Sequence, residues 1–247
     1  MIFHLTNSKQ DHPEIASERG LVHDIVIMQI VIGNVLSAED VASVRAALAN
    51  ARFVKGRETA GFAARIVKDN RQAASDDTSL EPARALVMQK IADNDVFRLA
   101  VRPKVLTPLL FSRYEPGMRY GSHVDDAIMH GIRTDVSFTL FLEEPDSYEG
   151  GELVIETAMG EDAIKLPAGS LVAYPSTSLH RVAEVTRGVR HVAAGWARSF
   201  IRDAAKRELL FDLDTARRKI FERDGKSAEF DLLSKSAANL QRMWSED

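Results

Sequence analysis

The chain has 247 residues, of which 45% are hydrophobic and 28% are charged, a composition typical of a soluble globular protein with a sizeable core. Its formal net charge of −4 gives no general attraction to nucleic acid or to an anionic membrane, so neither is an expected partner. The absence of cysteine excludes disulfides and thiolate metal sites, and no apolar run is long enough for a transmembrane helix. We therefore expect a cytoplasmic protein.

The first part of the chain contains the signals for two helices. Residues 1–27 show no clear periodicity, and we expect them to form a poorly ordered N-terminal extension. Ser37 followed by Asp40 resembles a helix N-terminal capping pattern, and the apolar residues after it recur at helical spacing. A second helix is predicted from about Pro82 to Asp93, with the proline in its first turn.

From Lys104 the pattern changes to short apolar or alternating runs separated by turn signals, which predict an antiparallel sandwich or barrel. These runs are "KVLTPLLFSRY", "DVSFTLFL", "GELVIE", "AIKLP", "SLVAYP", "HRVAEV" and "RHVAAGWARSF". After Ser199 the amphipathic segments "IRDAAKRELLFDLDTARRKIFERD" and "AEFDLLSKSAANLQRMW" predict two further helices. We therefore divide the chain into the extension, a main domain over 28–198 and a helical subdomain over 199–247.

The stretch "YGSHVDDAI" contains the first candidate functional residues. It places His123 and Asp125 two positions apart in β-like sequence, and on a strand such residues point to the same face. His180, in "YPSTSLHRVAEV", is the candidate third ligand. Two imidazoles and one carboxylate form the facial triad of non-haem Fe(II) oxygenases, although the same ligands could hold zinc for hydrolysis. Without a metal, the pattern is an ordinary polar strand face.

Arg190 strengthens the iron interpretation. It lies ten residues after His180, past a short turn and at the start of another strand. Many Fe(II) oxygenases use 2-oxoglutarate, and a planar guanidinium matches the far carboxylate of this diacid in two parallel hydrogen bonds. Because a short turn joins the strands at His180 and Arg190, we expect them to be neighbours in one sheet. Arg181 and Arg187 are the nearby alternatives.

The longer motifs around these residues resemble the PKHD-type hydroxylases of bacteria, which are Fe(II)- and 2-oxoglutarate-dependent dioxygenases related to prolyl and lysyl hydroxylases. The resemblance runs from about Gln29 to the C-terminus. It rests on "FSRYEPGMRYGSHVD", "RTDVSFTLFL", "SYEGGELVIE", "KLPAGSLVAYPSTSLHRVAEVTRGVR" and "IRDAAKRELLFDLD". It implies an α+β fold with a double-stranded β-helix (jelly-roll) core, N-terminal flanking helices and a C-terminal helical extension.

The resemblance also implies the site and its cofactors. The iron ligands fall on His123, Asp125 and His180, and the arginine that binds 2-oxoglutarate falls on Arg190. Tyr114 stands where related enzymes often have a tyrosine near the co-substrate, although an aromatic core residue is the alternative. The implied cofactors are Fe(II), 2-oxoglutarate as co-substrate and L-ascorbate as reductant. The implied reaction hydroxylates a substrate with O2 and releases succinate and CO2.

Three other interpretations of the sequence remain. A zinc hydrolase could use the same three ligands, a non-catalytic sensor of iron or 2-oxoglutarate would keep the whole site, and a structural jelly-roll module would keep none of it. The sequence does not fix the substrate, which could be a small molecule, a peptide or a protein. A homo-oligomer is also left open.

Overall fold

The computed structural model of the chain describes residues 29–59 and 61–247. The predicted N-terminal extension, residues 1–27, lies outside the described residues. The helices of the described part are α1 (Ala38–Ala49), α2 (Ala64–Val67), α3 (Glu81–Asp93), α4 (Asp95–Val101), α5 (Ala204–Asp224) and α6 (Ala228–Trp244).

The strands of the described part are mostly short. In chain order they are β1 (Ile30–Ile32), β2 (Phe53–Lys55), β3 (Lys68–Asp69), β4 (Arg71–Ala73), β5 (Pro103–Leu106), β6 (Leu110–Tyr114), β7 (Arg119–His123), β8 (Ile128–Met129), β9 (Ile132–Arg133), β10 (Val136–Phe141), β11 (Glu149–Gly150), β12 (Leu153–Thr157), β13 (Gly160–Ile164), β14 (Leu171–Pro175), β15 (His180–Val182), β16 (Val185–Arg187) and β17 (Arg190–Ser199).

Within residues 29–59 and 61–247, two larger antiparallel sheets form the body of the fold. The major sheet has the order β1-β14-β10-β17-β6-β4-β2, and β5 also pairs with β17. The minor sheet has the order β13-β12-β15-β7-β3. Two short pairs, β8 with β9 and β11 with β16, stand apart from them. The predicted antiparallel double-sheet core is therefore confirmed.

Apolar side chains from the two sheets meet and form the interior between them. Phe141 of β10 and Val192 of β17 belong to one buried cluster with Leu153 and Ile155 of β12. Alternate residues of these strands point inward because side chains of a strand alternate between its faces. The major sheet supplies one wall of this interior and the minor sheet supplies the other.

The helices before the sheets cover the outer face of the major sheet. Val44 of α1, Ile91 of α3 and Phe97 of α4 join Phe138 and Leu140 of β10 in one large buried cluster. The predicted first helix is present and begins with a capping box. In it the Ser37 hydroxyl accepts a hydrogen bond from the Asp40 backbone N–H, and the Asp40 carboxylate accepts one from the Ser37 N–H.

The predicted C-terminal helices are also present, and a buried ion pair attaches them to the rest of the fold. Arg102, which ends α4 in the left-handed conformation, donates to Asp214 of α5 at 2.5 Å and to Gln241 of α6 at 2.9 Å. The side chains of Arg102 and Asp214 are both more than 90% buried. The division into 28–198 and 199–247 stays a prediction. Among the described helices, none has the length and apolar character needed to cross a membrane.

Candidate metal centre and co-substrate pocket

The structure brings the three predicted metal ligands together at one end of the interior. His180 opens β15 and lies directly opposite His123, the last residue of β7. One ligand atom from each of these histidines and one from Asp125 all lie within 4.8 Å of one another. The prediction that Asp125 shares a strand with His123 is wrong, because β7 ends at His123 and the chain leaves the sheet there. Asp125 reaches the cluster from the following loop.

A bulge in β7 determines which side chains reach the site. Tyr120 pairs with Val182 and His123 pairs with His180, so three steps along β7 match two steps along β15. The extra residue brings Tyr120 and His123 to the same face, although strict alternation would put them on opposite faces. Their rings stack with centroids 3.6 Å apart and planes inclined by 18°. Tyr120 is thereby a wall of the site that sequence reasoning missed.

Backbone carbonyls orient both imidazoles. The Nδ1 atom of His123 lies 2.9 Å from the carbonyl oxygen of Gly121, and that of His180 lies 3.1 Å from the carbonyl oxygen of Ser178. When Nδ1 carries the proton and donates a hydrogen bond to a carbonyl oxygen, Nε2 keeps a free lone pair. The two Nε2 atoms lie 3.9 Å and 3.8 Å from the Asp125 carboxylate oxygens, so the free lone pairs are directed toward one place.

The third ligand is oriented from the opposite sheet. The Ser137 hydroxyl of β10 donates to the Asp125 carboxylate at 2.6 Å, and the Ser176 hydroxyl lies 2.8 Å from that of Ser137. Burial and the nearby His180 lower the pKa of His123 to about 4, so its imidazole is neutral at neutral pH. A neutral imidazole is the form that binds a metal. The donor set therefore fits a divalent metal with two imidazoles and one carboxylate.

Arg190 lies in the wall facing this cluster, not in the sheet that contains the histidines. The prediction that the strands of His180 and Arg190 are sheet neighbours is wrong, because β15 belongs to the minor sheet and β17 to the major sheet. Between them, β16 pairs with β11 outside both sheets, and this carries the chain from one sheet to the other. The two residues therefore face each other across the interior instead of lying side by side.

Arg190 is the largest fully buried side chain of the described part, with 1% of its surface exposed. Its guanidinium lies over the ring of Tyr114 at 5.1 Å and over that of Phe141 at 5.4 Å. Among the described residues, its Nε and Nη1 atoms have no hydrogen-bond partner. Because burying charged N–H donors without partners is costly, this is the property expected of a group that binds an anion.

The alternatives Arg187 and Arg181 have different surroundings. Arg187 has 61% of its side chain exposed and donates to Glu149, and Arg181 forms two parallel hydrogen bonds with Glu161 at 2.6 and 2.7 Å. Both guanidinium groups therefore already have a carboxylate partner at the surface. Of the three candidate arginines, Arg190 alone is buried without one.

Aromatic residues complete the pocket around Arg190. Tyr114 lies directly opposite Arg190 on β6, and burial raises the pKa of its hydroxyl, so the phenol stays neutral. Tyr148, which sequence reasoning missed, is buried beside Gly151 and Arg190. Gly151 has a φ of +69°, and a Cβ atom there would lie 3.0 Å from Cδ of Arg190 and 3.2 Å from the Tyr148 ring. The glycine thus lets the backbone approach both side chains.

Comparison with known proteins assigns the chain to a family. Residues 109–198, which include all five predicted site residues, match the 2OG-Fe(II) oxygenase superfamily. A PKHD-type hydroxylase of Picosynechococcus sp. is 55% identical over 215 residues, which cover 87% of this chain and 98% of that protein. One from Synechococcus elongatus is 52% identical over 223 residues, which cover 89% of this chain and all of the relative.

Solved structures share the fold at low sequence identity. A non-haem α-ketoglutarate-dependent carbocyclase, SnoK from nogalamycin biosynthesis, superposes with a TM-score of 0.55 at 15% identity, covering 71% of this chain and 81% of that one. A prolyl hydroxylase from Trichoplax adhaerens gives 0.51 at 15%, covering 73% and 86%. The predicted jelly-roll core with flanking helices is confirmed. The chain belongs to the PKHD-type hydroxylases and is a 2-oxoglutarate-dependent dioxygenase of the 2OG-Fe(II) oxygenase superfamily.

Proposed function

We propose that the chain hydroxylates a small molecule, a peptide or a protein with O2, and converts 2-oxoglutarate to succinate and CO2. One observation carries this proposal: a cluster of two imidazoles and a carboxylate faces, across the interior of the fold, a buried arginine whose Nε and Nη1 atoms have no partner among the described residues. A zinc hydrolase has no use for such an arginine. A metal chelated by one end of a diacid, with a guanidinium at the other end, uses both features.

His123, Asp125 and His180 are proposed to hold Fe(II). When bound, the iron supplies the redox chemistry by which O2 is activated and a C–H bond is hydroxylated. The chain's own residues provide orientation and a dry environment. The two carbonyl contacts at Nδ1 keep the imidazoles in the ligating tautomer, and Ser137 fixes the carboxylate.

Arg190 is proposed to bind the far carboxylate of 2-oxoglutarate. Its guanidinium offers a planar fork that a carboxylate matches with two parallel hydrogen bonds, and its Nε and Nη1 atoms have no partner among the described residues. The rings of Tyr114 and Phe141 hold the guanidinium in place and exclude water. Tyr114 is proposed to line the co-substrate pocket.

Further elements of the proposal concern the cell. L-ascorbate is proposed as the reductant that keeps the iron in its Fe(II) state between turnovers. The cytoplasm is proposed as the location, which suits a chain without cysteines. No nucleic acid or membrane is proposed as a partner. A homo-oligomer stays open, and light scattering of the purified protein would measure its molar mass.

The test measures O2 consumption and succinate formation by the purified protein with Fe(II) and 2-oxoglutarate, with mass spectrometry of candidate substrates for the addition of one oxygen atom. Coupled O2 consumption and succinate formation support the dioxygenase. A protein that binds both ligands without turnover would be a sensor. A protein that hydrolyses a substrate with zinc and ignores 2-oxoglutarate would contradict the proposal.

Variants of Arg190 test the co-substrate assignment. A charge-assisted pair of this type contributes about 1.5–3 kcal/mol, so Arg190→Met should weaken 2-oxoglutarate binding by up to about two orders of magnitude. Arg190→Lys keeps the charge but loses the fork and should be intermediate, while Fe(II) affinity stays nearly constant. Arg187→Met is the matched control, because that arginine is exposed. If Arg190→Met binds 2-oxoglutarate as tightly as wild type, the carboxylate is bound elsewhere.

A further inference from the structure

A second buried cation lies beside the candidate metal centre. Lys68 of β3 pairs with Tyr120 of β7, and Lys68 is only 7% exposed. Its ammonium lies over the Tyr120 ring, 5.0 Å from the ring centroid, and that ring stacks on His123. The positive charge of Lys68 contributes to the lowered pKa of His123, and the negative charge of Asp125 favours the protonated form of Lys68. Lys68 is therefore part of the wall around the site.

The Lys68 ammonium is poorly satisfied by the protein. Among the described residues it has no carboxylate within ion-pair distance, and its one hydrogen-bond contact is to the Thr59 hydroxyl at 3.5 Å, the outer limit for such a bond. Apart from Arg190, the other buried lysine and arginine side chains of the described part have partners: Arg102 binds Asp214, and Arg207 donates to two backbone carbonyls. An ammonium has three donors, and burying it without partners is costly. Burial lowers the pKa of Lys68 to about 8, so the amine is still mostly protonated at neutral pH.

The charges of the site groups described above point the same way. A divalent metal bound to Asp125 has one positive charge left. Arg190 and Lys68 add one each, and the two carboxylates of 2-oxoglutarate remove two. One positive charge therefore remains when metal and co-substrate are bound. Asp126, the next acidic residue along the chain, is exposed and solvated.

We propose that Lys68 binds a carboxylate group of the substrate beside the metal. This inference rests on the proposed function, since the charge count includes Fe(II) and 2-oxoglutarate. A carboxylate carries the single negative charge that balances the remaining positive charge, whereas a phosphate monoester would exceed it. The substrate class is therefore a carboxylic acid, with the carbon to be hydroxylated within a few bonds of the carboxylate.

The experiment uses the full chain loaded with Mn(II) and 2-oxoglutarate. Mn(II) accepts the same protein ligands as Fe(II), and because it is paramagnetic it shortens the NMR relaxation times of nearby protons. The probes are acetate, propionate and butyrate, each compared with its neutral primary amide. The methyl-proton relaxation rate is measured as a function of probe concentration for wild type, Lys68→Met, Lys68→Arg and Lys55→Met. Lys55 is the matched control, since it is an exposed lysine on β2.

Saturable relaxation of at least one carboxylate, and of none of the amides, is expected in wild type and in Lys55→Met. Lys68→Met should weaken the apparent affinity about tenfold or more, and Lys68→Arg should restore part of it. Equal carboxylate affinity in wild type and Lys68→Met, or no saturable carboxylate in wild type, would overturn the proposal. Weaker 2-oxoglutarate binding in Lys68→Met with unchanged probe binding would do so too, by assigning Lys68 to the co-substrate.

Two controls separate this inference from the proposed function and from a structural role. If wild type binds neither Mn(II) nor 2-oxoglutarate, the proposed function fails; if it binds both and only the probe result is negative, the Lys68 inference alone fails. The free energy of unfolding of Lys68→Met should equal or exceed that of wild type, because methionine removes a buried charge and keeps the apolar stem. A large decrease would show a structural role instead.

Discussion

The hydroxyl of Ser137 offers a sharp test of how the metal centre is held. Ser137 is 2% exposed and donates to the Asp125 carboxylate at 2.6 Å from the opposite sheet. Ser137→Ala removes this hydrogen bond while leaving all three proposed ligands in place. Asp125 lies in the loop after β7. Without the hydroxyl of Ser137, we therefore expect its carboxylate to lose a fixed orientation.

The magnitude follows from comparable contacts in other metal sites. Loss of a hydrogen bond to a ligand typically weakens metal binding 10–100-fold, or about 1.4–2.7 kcal/mol. The same change costs about 1–3 kcal/mol of folding stability, since the Ser176 hydroxyl loses its neighbour. A domain with an unfolding free energy of about 5–15 kcal/mol stays folded after such a loss.

The assay is an anaerobic competition titration of the metal-free protein with a coloured Fe(II) chelator. Ser122→Ala is the matched control, since Ser122 neighbours His123 but forms an exposed hydrogen bond with Glu156. We expect wild-type affinity in the control and a 10–100-fold loss in Ser137→Ala. Equal affinity in both variants would refute the reasoning, because Asp125 would then be oriented without the opposite sheet.

Other predictions concern the ligands, the chain ends and the helical attachment. His123→Ala should lower Fe(II) affinity steeply in the same titration, and unchanged affinity would remove this residue from the site. A chain starting at Met28 should fold and consume 2-oxoglutarate like the full chain; a large loss of soluble protein would refute this. Asp214→Ala should lower the free energy of unfolding by about 3–5 kcal/mol in denaturant titrations, because it leaves Arg102 buried without its carboxylate. Truncation after Arg198 should cause aggregation, and a soluble, active product would make the helices an independent module.

The sequence predicted the elements whose signals are local. The capping box at Ser37, the helical spacing after Pro82 and the alternating runs after Lys104 each depend on neighbouring residues, and each corresponds to an element of the structure. The family resemblance added the jelly-roll arrangement. The short strands β1 to β4 went unpredicted, because two or three residues carry too little periodicity to identify a strand.

Features that depend on pairing between distant segments could not be predicted. Lys68 reaches the site because β3 pairs with β7, and nothing near Lys68 in the sequence indicates this register. The sheet of Arg190 was wrongly predicted for the same reason: a short connection usually joins neighbours, but here β16 diverts the chain to the opposite wall. Ser137 lies with Thr139 in an otherwise apolar strand, and its partner Asp125 is twelve residues away in a loop.

The bulge in β7 shows how one extra residue changes the chemistry of the site. With regular pairing, Tyr120 would point away from His123, and the inner surface beside the histidine would have no aromatic wall. The bulge stacks the Tyr120 ring on His123, with the Lys68 ammonium over the same ring. A metal-ligand residue, an aromatic wall and a buried cation therefore occupy one face, because the two residues of β7 between Tyr120 and His123 stand opposite one residue of β15. The metal centre and the proposed carboxylate site thus depend on the same local irregularity, and a change that restores regular pairing would separate them.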